Sequence, residues 1–183
     1  MRAFDLLYNR PANLALVEKD DRDDKDVRRL FHKAKGLNPF VLHTGKPVTV
    51  VLVEDDDGDA MAVERAFQRA KIANPIVRAV DGLEALDMLK GANGKEKVES
   101  PYLMLVDIAM PRMGGLKLIA KLRTDKQLRH SIAFILTTSG REEDIEAAYD
   151  LNVAGYIVKA AAGEDFLNLA RLVDCYERIV ELR

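Results

Sequence analysis

From residue 48 onwards, the chain alternates short apolar runs with longer stretches whose apolar residues recur at helical spacing. The short runs predict strands, and the longer amphipathic stretches predict helices. The predicted strands are 48–53, 76–80, 103–106, 132–137 and 156–158. The predicted helices are 60–71, 83–90, 116–123, 142–151 and 166–182. Five strand–helix units in succession predict an α/β fold, in which a parallel sheet is covered by helices on both faces.

This architecture also predicts where a ligand would bind. The run 103–106 is apolar at every position, as expected of a strand that is covered on both faces. In open parallel sheets, ligands lie beyond the carboxyl ends of the strands, close to the point where the strand order reverses. The residues that follow each predicted strand are therefore the first candidates for a functional site.

Composition excludes several classes of function. The chain has 183 residues, 48% apolar and 32% charged, which is enough for one globular domain with a smaller appendage. A net charge of −2 provides no overall basic field for nucleic acid or an anionic membrane. No apolar stretch approaches the roughly 20 residues of a membrane span, and the N-terminal residues lack a signal-peptide pattern. A single cysteine, Cys175, fits a reducing cytoplasm, which we expect to be the location of the protein.

The first 46 residues contain a partial duplicate of a later segment. Residues 16–41 align with residues 52–77 at an offset of 36, and 14 of the 26 aligned positions are identical. We interpret residues 1–46 as a βαβ-like half-repeat and residues 47–183 as the main domain. A lone unit of this kind cannot bury its own apolar face. It would therefore add to the sheet edge, exchange with the matching unit of another chain, or stay partly disordered.

Acidic residues follow two of the predicted strands. Residues 54–57, with the sequence EDDD, follow the first strand, and Asp107 follows the third. Crowded carboxylates disfavour one another's ionisation, and a hard divalent cation such as Mg²⁺ relieves that conflict. The run 54–57 alone is better explained as a solvated helix start, in which Asp57 or Asp59 serves as the cap.

The ends of the last two strands favour the functional interpretation. The fourth strand leads into Thr137, Thr138 and Ser139, which bring hydroxyl groups to the same edge, and the fifth ends at Lys159, which brings an ammonium. A carboxylate nucleophile, a metal, a hydroxyl donor and a cation are together the components of a phosphoryl-transfer site.

Four segments resemble the CheY-like receiver domains of two-component response regulators. They are VVLVEDD, LMLVDIAMPRMGG, FILTTSG and GYIVKA. The steps of 30 and 22 residues that separate Asp107, Thr137 and Lys159 are typical of that family. The resemblance spans roughly residues 48–183 and implies the flavodoxin-like (βα)5 fold with strand order 2-1-3-4-5, to which the N-terminal half-repeat would be an addition.

The resemblance also implies roles for individual residues. Asp107 matches the phosphoacceptor. The implied Mg²⁺ ligands are Glu54, Asp55, Asp107 and the backbone carbonyl of Ala109. Thr137 and Lys159 match the groups that contact the phosphoryl oxygens, and Thr137 and Tyr156 match the switch pair that rearranges on phosphorylation. A surface aromatic is the alternative explanation of Tyr156. We interpret Asp56, Asp57 and Asp59 as capping residues or as residues just outside the metal site.

The implied activity is that of a phosphoacceptor, not of an enzyme that acts on another substrate. The donor would be a sensor histidine kinase or a phosphotransfer protein, with Mg²⁺ as cofactor and self-directed loss of the phosphoryl group. The long loop 91–100 and the TTS run also resemble small single-domain regulators that partner bacteriophytochrome-type histidine kinases. A second hypothesis is a phosphorylation-independent assembly module, in which the half-repeat mediates homodimerisation.

Some positions depart from the family pattern. Ala160 stands where most receivers have proline, so we expect no cis peptide bond after Lys159. Gly114 replaces an acidic residue, a change that we expect to affect loop flexibility alone. In the half-repeat, Lys19 stands at the position of Asp55, and a cation there would repel Mg²⁺.

The remaining histidines and basic residues indicate no further site. His32, His43 and His130 show no metal-ligand spacing. The basic positions between 117 and 129 predict a solvated face, and no recognition helix supports binding to nucleic acid.

Overall fold

The computed structural model describes residues 47–162 and 166–179. The strands are β1 (Thr49–Val53), β2 (Ile76–Ala79), β3 (Tyr102–Val106), β4 (Ile132–Thr137) and β5 (Gly155–Val158). The helices are α1 (Asp57–Arg69), α2 (Gly82–Lys90), α3 (Gly115–Thr124), α4 (Glu142–Asp150) and α5 (Leu167–Ile179), with a 3₁₀ turn at Lys159–Ala161. The half-repeat predicted over residues 1–46 lies outside the described residues.

The five strands form one parallel sheet in the order β2-β1-β3-β4-β5, which confirms the predicted fold class. The strand β1 pairs with β2 on one side and with β3 on the other, so the chain reverses its direction of progress at β1. The carboxyl ends of β1 and β3 therefore lie side by side, at the position where ligands generally bind in open parallel sheets.

Two apolar layers cover the sheet, because alternate strand residues point to opposite faces. On β1, Val51 and Val53 pack in one layer, and Val50 and Leu52 pack in the other. The first layer includes residues of α2, α3 and α4, and the second includes residues of α1 and α5. No helix of the described residues is long and apolar enough to cross a membrane.

Helix boundaries differ slightly from the predicted ones, and the start of α1 shows why. The helix begins at Asp57, three residues before the first apolar position of the predicted face, Ala60. The side chain of Asp56 accepts a hydrogen bond of 2.8 Å from the backbone N–H of Asp59, and this cap starts the helix within the acidic run. Helical spacing of apolar residues marks the buried face of a helix, whereas the cap determines its first residue.

Candidate functional site

Three carboxylates meet at the carboxyl edge of the sheet. Glu54 and Asp55 follow β1, and Asp107 follows β3, the neighbouring strand. One oxygen of each of these carboxylates lies within 4.8 Å of the others. Glu54 and Asp107 are buried, whereas Asp55 is exposed, so the cluster has a buried side and a side that faces solvent. Strand pairing thus brings together residues that are more than fifty positions apart in the sequence.

The ammonium of Lys159, which follows β5, lies among carboxylates. Its Nζ atom is 2.8 Å from Oε2 of Glu54, 3.4 Å from Oδ2 of Asp107 and 2.6 Å from Oδ2 of Asp59 in the first turn of α1. Burial alone would lower the pKa of this lysine. Hydrogen bonds to Asp59 and Glu54 and the negative charges of Glu54 and Asp107 outweigh burial, and they raise the pKa of Lys159 above its ordinary value.

The charged form of Glu54 is disfavoured, whereas the charged form of Lys159 is favoured. Burial raises the pKa of the Glu54 carboxyl above its ordinary value, although the hydrogen bond and the charge of Lys159 act to lower it. The two shifts are compatible, because Lys159 faces three carboxylates, whereas Glu54 shares a single ammonium with other acids and also faces the charge of Asp107. The cluster therefore holds more negative charge than Lys159 balances.

The loop after β1 is held by a residue that the sequence analysis missed. Arg78, on the neighbouring strand β2, donates hydrogen bonds of 3.0 Å each to the backbone carbonyls of Glu54 and Asp55. Its guanidinium also forms a 2.6 Å ion pair with Asp57. These contacts orient the acidic loop from outside the cluster. The only signal for Arg78 was a charged residue in an otherwise apolar strand.

The loop after β3 is held at Asp107 itself. Oδ1 of Asp107 accepts a hydrogen bond of 2.7 Å from the backbone N–H of Ile108, which leaves Oδ2 facing Lys159. The backbone N–H of Gly115 donates to the carbonyl of Ile108 at 3.0 Å, and a Cβ atom on Gly115 would lie 2.1 Å from the carbonyl oxygen of Asp107. Glycine is therefore required there by close backbone approach. Ala109 is exposed, two residues beyond Asp107.

The space around Gly114 differs from what we expected. We predicted that its replacement of an acidic residue would affect flexibility alone. A Cβ atom at Gly114 would lie 2.6 Å from the carbonyl oxygen of Ile108, so the loop as folded here has no room for a side chain.

The same loop is fastened to the start of α2. The backbone N–H of Gly82 donates to the carbonyl of Met113 at 2.9 Å, and the buried Asp81 forms an ion pair with Arg112. Asp81 also caps α2 by accepting hydrogen bonds from the N–H groups of the following helix. A single buried carboxylate thus joins the helix start to the loop that carries Asp107.

The hydroxyl residues lie at the end of β4. Thr137 is buried, and its Oγ1 accepts a long hydrogen bond of 3.4 Å from the N–H of Ser139. The half-buried Tyr156 of β5 donates a hydrogen bond of 3.0 Å from its hydroxyl to the carbonyl of Ser139. Burial raises the pKa of Tyr156, so its hydroxyl stays protonated as a donor. Both predicted switch residues therefore contact the same loop residue.

The donor set at the carboxyl edge fits a hard divalent cation. Its oxygen atoms come from carboxylates, one side faces solvent, and the excess negative charge disfavours the metal-free state. Asp59, which we interpret as a capping residue or as one just outside the metal site, contacts Lys159 and does not belong to the group of three carboxylates.

Comparison with known proteins agrees with this geometry. The family model of the response regulator receiver domain matches residues 50–171. Response regulator Rcp1 of Synechocystis sp. is 28% identical over 96 residues, which are 52% of this chain and 65% of Rcp1, just under two thirds of its length. The crystal structure of the Mn²⁺-bound form of Rcp1 has a TM-score of 0.66 at 27% identity, covering 75% of this chain and 99% of that one.

A second solved structure is the phosphorylated cyanobacterial phytochrome response regulator RcpA. It has a TM-score of 0.67 at 26% identity and covers 75% of this chain and 99% of that one. The family model covers more than half of the chain, and the sheet order is that of the family fold. The chain therefore belongs to the response regulator receiver domain family, in which it is similar to CheY-like phytochrome response regulators.

Proposed function

We propose that the chain accepts a phosphoryl group on Asp107 and signals through the conformational change that follows. The observation that carries this proposal is the convergence of Lys159 and two further carboxylates on Asp107. This arrangement supplies an oxygen nucleophile beside a fixed cation, as phosphoryl transfer requires. The proposed donor is a sensor histidine kinase of the phytochrome type or a phosphotransfer protein.

The metal in this proposal is Mg²⁺. Glu54, Asp55, Asp107 and the backbone carbonyl of Ala109 would hold it, since all are oxygen donors at the end of β1 or in the loop after β3. When bound, Mg²⁺ supplies positive charge that offsets the charge on the phosphoryl oxygens. Glu54 and Asp107 offer their carboxylates from the buried side, and Asp55 offers its own from the solvent side.

The chemical step uses the carboxylate of Asp107. One of its oxygens forms a bond to phosphorus while the P–N bond of the phosphohistidine donor breaks, and the electron pair of that bond stays on the imidazole, which takes up a proton. Lys159 donates a hydrogen bond to a phosphoryl oxygen, as does the hydroxyl of Thr137. Attack by water on the acyl phosphate later releases inorganic phosphate and restores the carboxylate of Asp107.

The switch in this proposal involves Thr137 and Tyr156. Thr137 leaves its long hydrogen bond with Ser139 in order to contact the phosphoryl group. Tyr156 then exchanges its bond to the carbonyl of Ser139 for a more buried position. The 3.4 Å length of the Thr137 contact supports this, because a weak bond costs little to break. The phosphoryl group thereby shifts the population towards a conformation that the protein already samples.

The experiment is phosphorylation by acetyl phosphate, followed by intact mass spectrometry with and without Mg²⁺. We expect wild type to gain the mass of one phosphoryl group only in Mg²⁺, and Asp107→Asn to gain nothing. Asp150→Asn is the matched control, because Asp150 is exposed at the end of α4, and it should behave as wild type. Equal labelling of Asp107→Asn and wild type would refute the proposal.

We also propose that the protein forms a homodimer through the half-repeat over residues 1–46. The identity of 14 of 26 positions between 16–41 and 52–77 supports this, because matching units can exchange between two copies of a chain. Light scattering would compare the full chain with a version that begins at Gly45. A dimer that becomes a monomer on truncation is the expected result, whereas the same number of chains per particle would contradict it.

A further inference from the structure

The ammonium of Lys159 is surrounded by carboxylate oxygens. An ammonium has three N–H groups, and three carboxylate oxygens lie around Nζ at 2.6, 2.8 and 3.4 Å. The shortest of these contacts is to Asp59, and the longest is to Asp107, the residue that Lys159 is proposed to assist. As the site stands, Asp59 holds the ammonium more closely than Asp107 does.

A phosphoryl group on Asp107 would require this arrangement to change. Its oxygens need at least one strong charge-assisted hydrogen bond from Lys159, so Nζ has to move closer to Asp107, and one of its two shorter contacts has to lengthen. Glu54 is poorly suited, because its side chain is only 2% exposed, so water cannot replace the ammonium at its carboxylate. Asp59 is 36% exposed at the start of α1, so water can replace the ammonium at its carboxylate.

We propose that Asp59 is a positioning residue that competes with the phosphoryl group for Lys159. This inference rests on the proposed phosphoacceptor function of Asp107. Asp59 acts through Lys159, which it draws towards the start of α1 in the unphosphorylated protein and releases when the phosphoryl group arrives. The competition sets how strongly the phosphorylated state is favoured.

The Asp59→Asn substitution isolates this effect. The fold should tolerate it, because the cap of α1 uses the backbone N–H of residue 59 and the side chain of Asp56, both of which remain. Since Lys159 is then free to turn towards Asp107, beryllofluoride, a phosphoryl mimic, should bind about three- to tenfold more tightly in Mg²⁺. Mg²⁺ alone should bind about two- to threefold more weakly, because one negative charge has left the cluster.

Titrations of Mg²⁺ and then beryllofluoride, followed by amide shifts in NMR spectra, measure both affinities. Glu64→Gln removes the same charge from an exposed position on the same helix, and it should change beryllofluoride affinity by less than about twofold. Asp59→Glu keeps the carboxylate and should restore affinities close to those of wild type. Opposite shifts of the two affinities in Asp59→Asn alone would support the proposal, because a purely structural role does not predict them.

Two results would overturn this inference and leave the proposed phosphoacceptor function standing. They are a beryllofluoride affinity in Asp59→Asn that matches Glu64→Gln, and one that falls below wild type. A wild-type protein that binds no beryllofluoride in Mg²⁺ would instead refute the phosphoacceptor function of Asp107, and this inference with it.

Discussion

Lys159 and Glu54 form a buried ion pair, with 2.8 Å between Nζ and Oε2 and side-chain exposures of 8% and 2%. A pair of this kind gains little net stability over apolar residues, because both charges lose their hydration. Removal of one partner is costly, however, because the other charge is left buried alone. Substitution of one partner therefore measures how much the ion pair contributes to stability, separately from its proposed part in phosphorylation.

Lys159→Met is expected to destabilise the metal-free protein by about 2–3 kcal/mol, because the buried Glu54 loses its cation. Mg²⁺ should restore part of this loss, since it supplies positive charge to the same carboxylates. Urea unfolding in EDTA and in Mg²⁺ measures both effects. Lys117→Met, on the exposed face of α3, is the control and should change stability little. An Lys159→Met protein as stable as this control in EDTA would contradict the burial argument.

Gly115→Ala is expected to destabilise the fold by about 2 kcal/mol, because its Cβ would lie 2.1 Å from the carbonyl oxygen of Asp107. The backbone at Asp107 has to move, so phosphorylation by acetyl phosphate should also slow. Gly140→Ala is the matched control, because a Cβ there meets no atom within 4 Å. We expect Gly140→Ala to leave stability within about 1 kcal/mol of wild type. Equal unfolding midpoints for the two variants would show that the loop can adjust.

Arg123 connects two loops at the opposite end of the sheet from the carboxylates. Its guanidinium donates four hydrogen bonds of 2.8–3.0 Å to backbone carbonyls of the α3–β4 and α4–β5 loops. The acceptors are the carbonyls of Arg129, Ser131, Leu151 and Asn152.

Arg123→Lys should cost about 1–3 kcal/mol of stability, since an ammonium cannot reproduce the fork of the guanidinium. Thermal unfolding checks this, with Lys117→Ala as an exposed control on the same helix. Phosphorylation of Asp107 should be unaffected at temperatures where the variant is folded. A melting temperature equal to that of the control would show that the carbonyls are equally well satisfied by water.

Much of the fold and part of the site could be predicted because both depend on local pattern. Strands were recognised from continuous apolar runs, and a parallel sheet brings the residues after Val53 and Val106 to one edge. The run 54–57 and Asp107 were singled out for that reason, and the resemblance to receiver domains selected Glu54 and Asp55 within the run. The structure places the oxygens of Glu54, Asp55 and Asp107 together.

The rest depends on how distant elements pack. Asp59 contacts Lys159, which is 100 residues further along the chain, so its place in the charged cluster depends on where α1 lies over the sheet. Arg78 donates hydrogen bonds to the backbone carbonyls of Glu54 and Asp55. Because every residue has a backbone carbonyl, the sequence does not indicate which of them accept. The space for a side chain at Gly114 likewise depends on the path of the loop, and a single glycine in the sequence does not indicate that path.

The stability of the fold should depend jointly on pH and Mg²⁺. Because burial raises the pKa of Glu54 above 4.5, the folded protein binds this proton more tightly than the unfolded chain does. Its stabilising effect is therefore complete below pH 4.5 and is lost as the pH rises through the raised pKa. In EDTA, wild type should lose stability relative to Glu54→Gln as the pH rises from 4.5 towards 7.

Mg²⁺ should reverse this trend, because it binds the ionised carboxylates and protons compete with it. At a concentration of one hundred times its Kd, it should stabilise wild type by about 2.7 kcal/mol near pH 7 and by progressively less towards pH 4.5. Urea unfolding across this range, with Glu146→Gln as an exposed control, measures both slopes. Parallel curves for wild type and Glu54→Gln in EDTA would mean that Glu54 ionises as freely in the fold as in the unfolded chain. A pH-independent stabilisation by Mg²⁺ would place the bound cation away from titrating carboxylates.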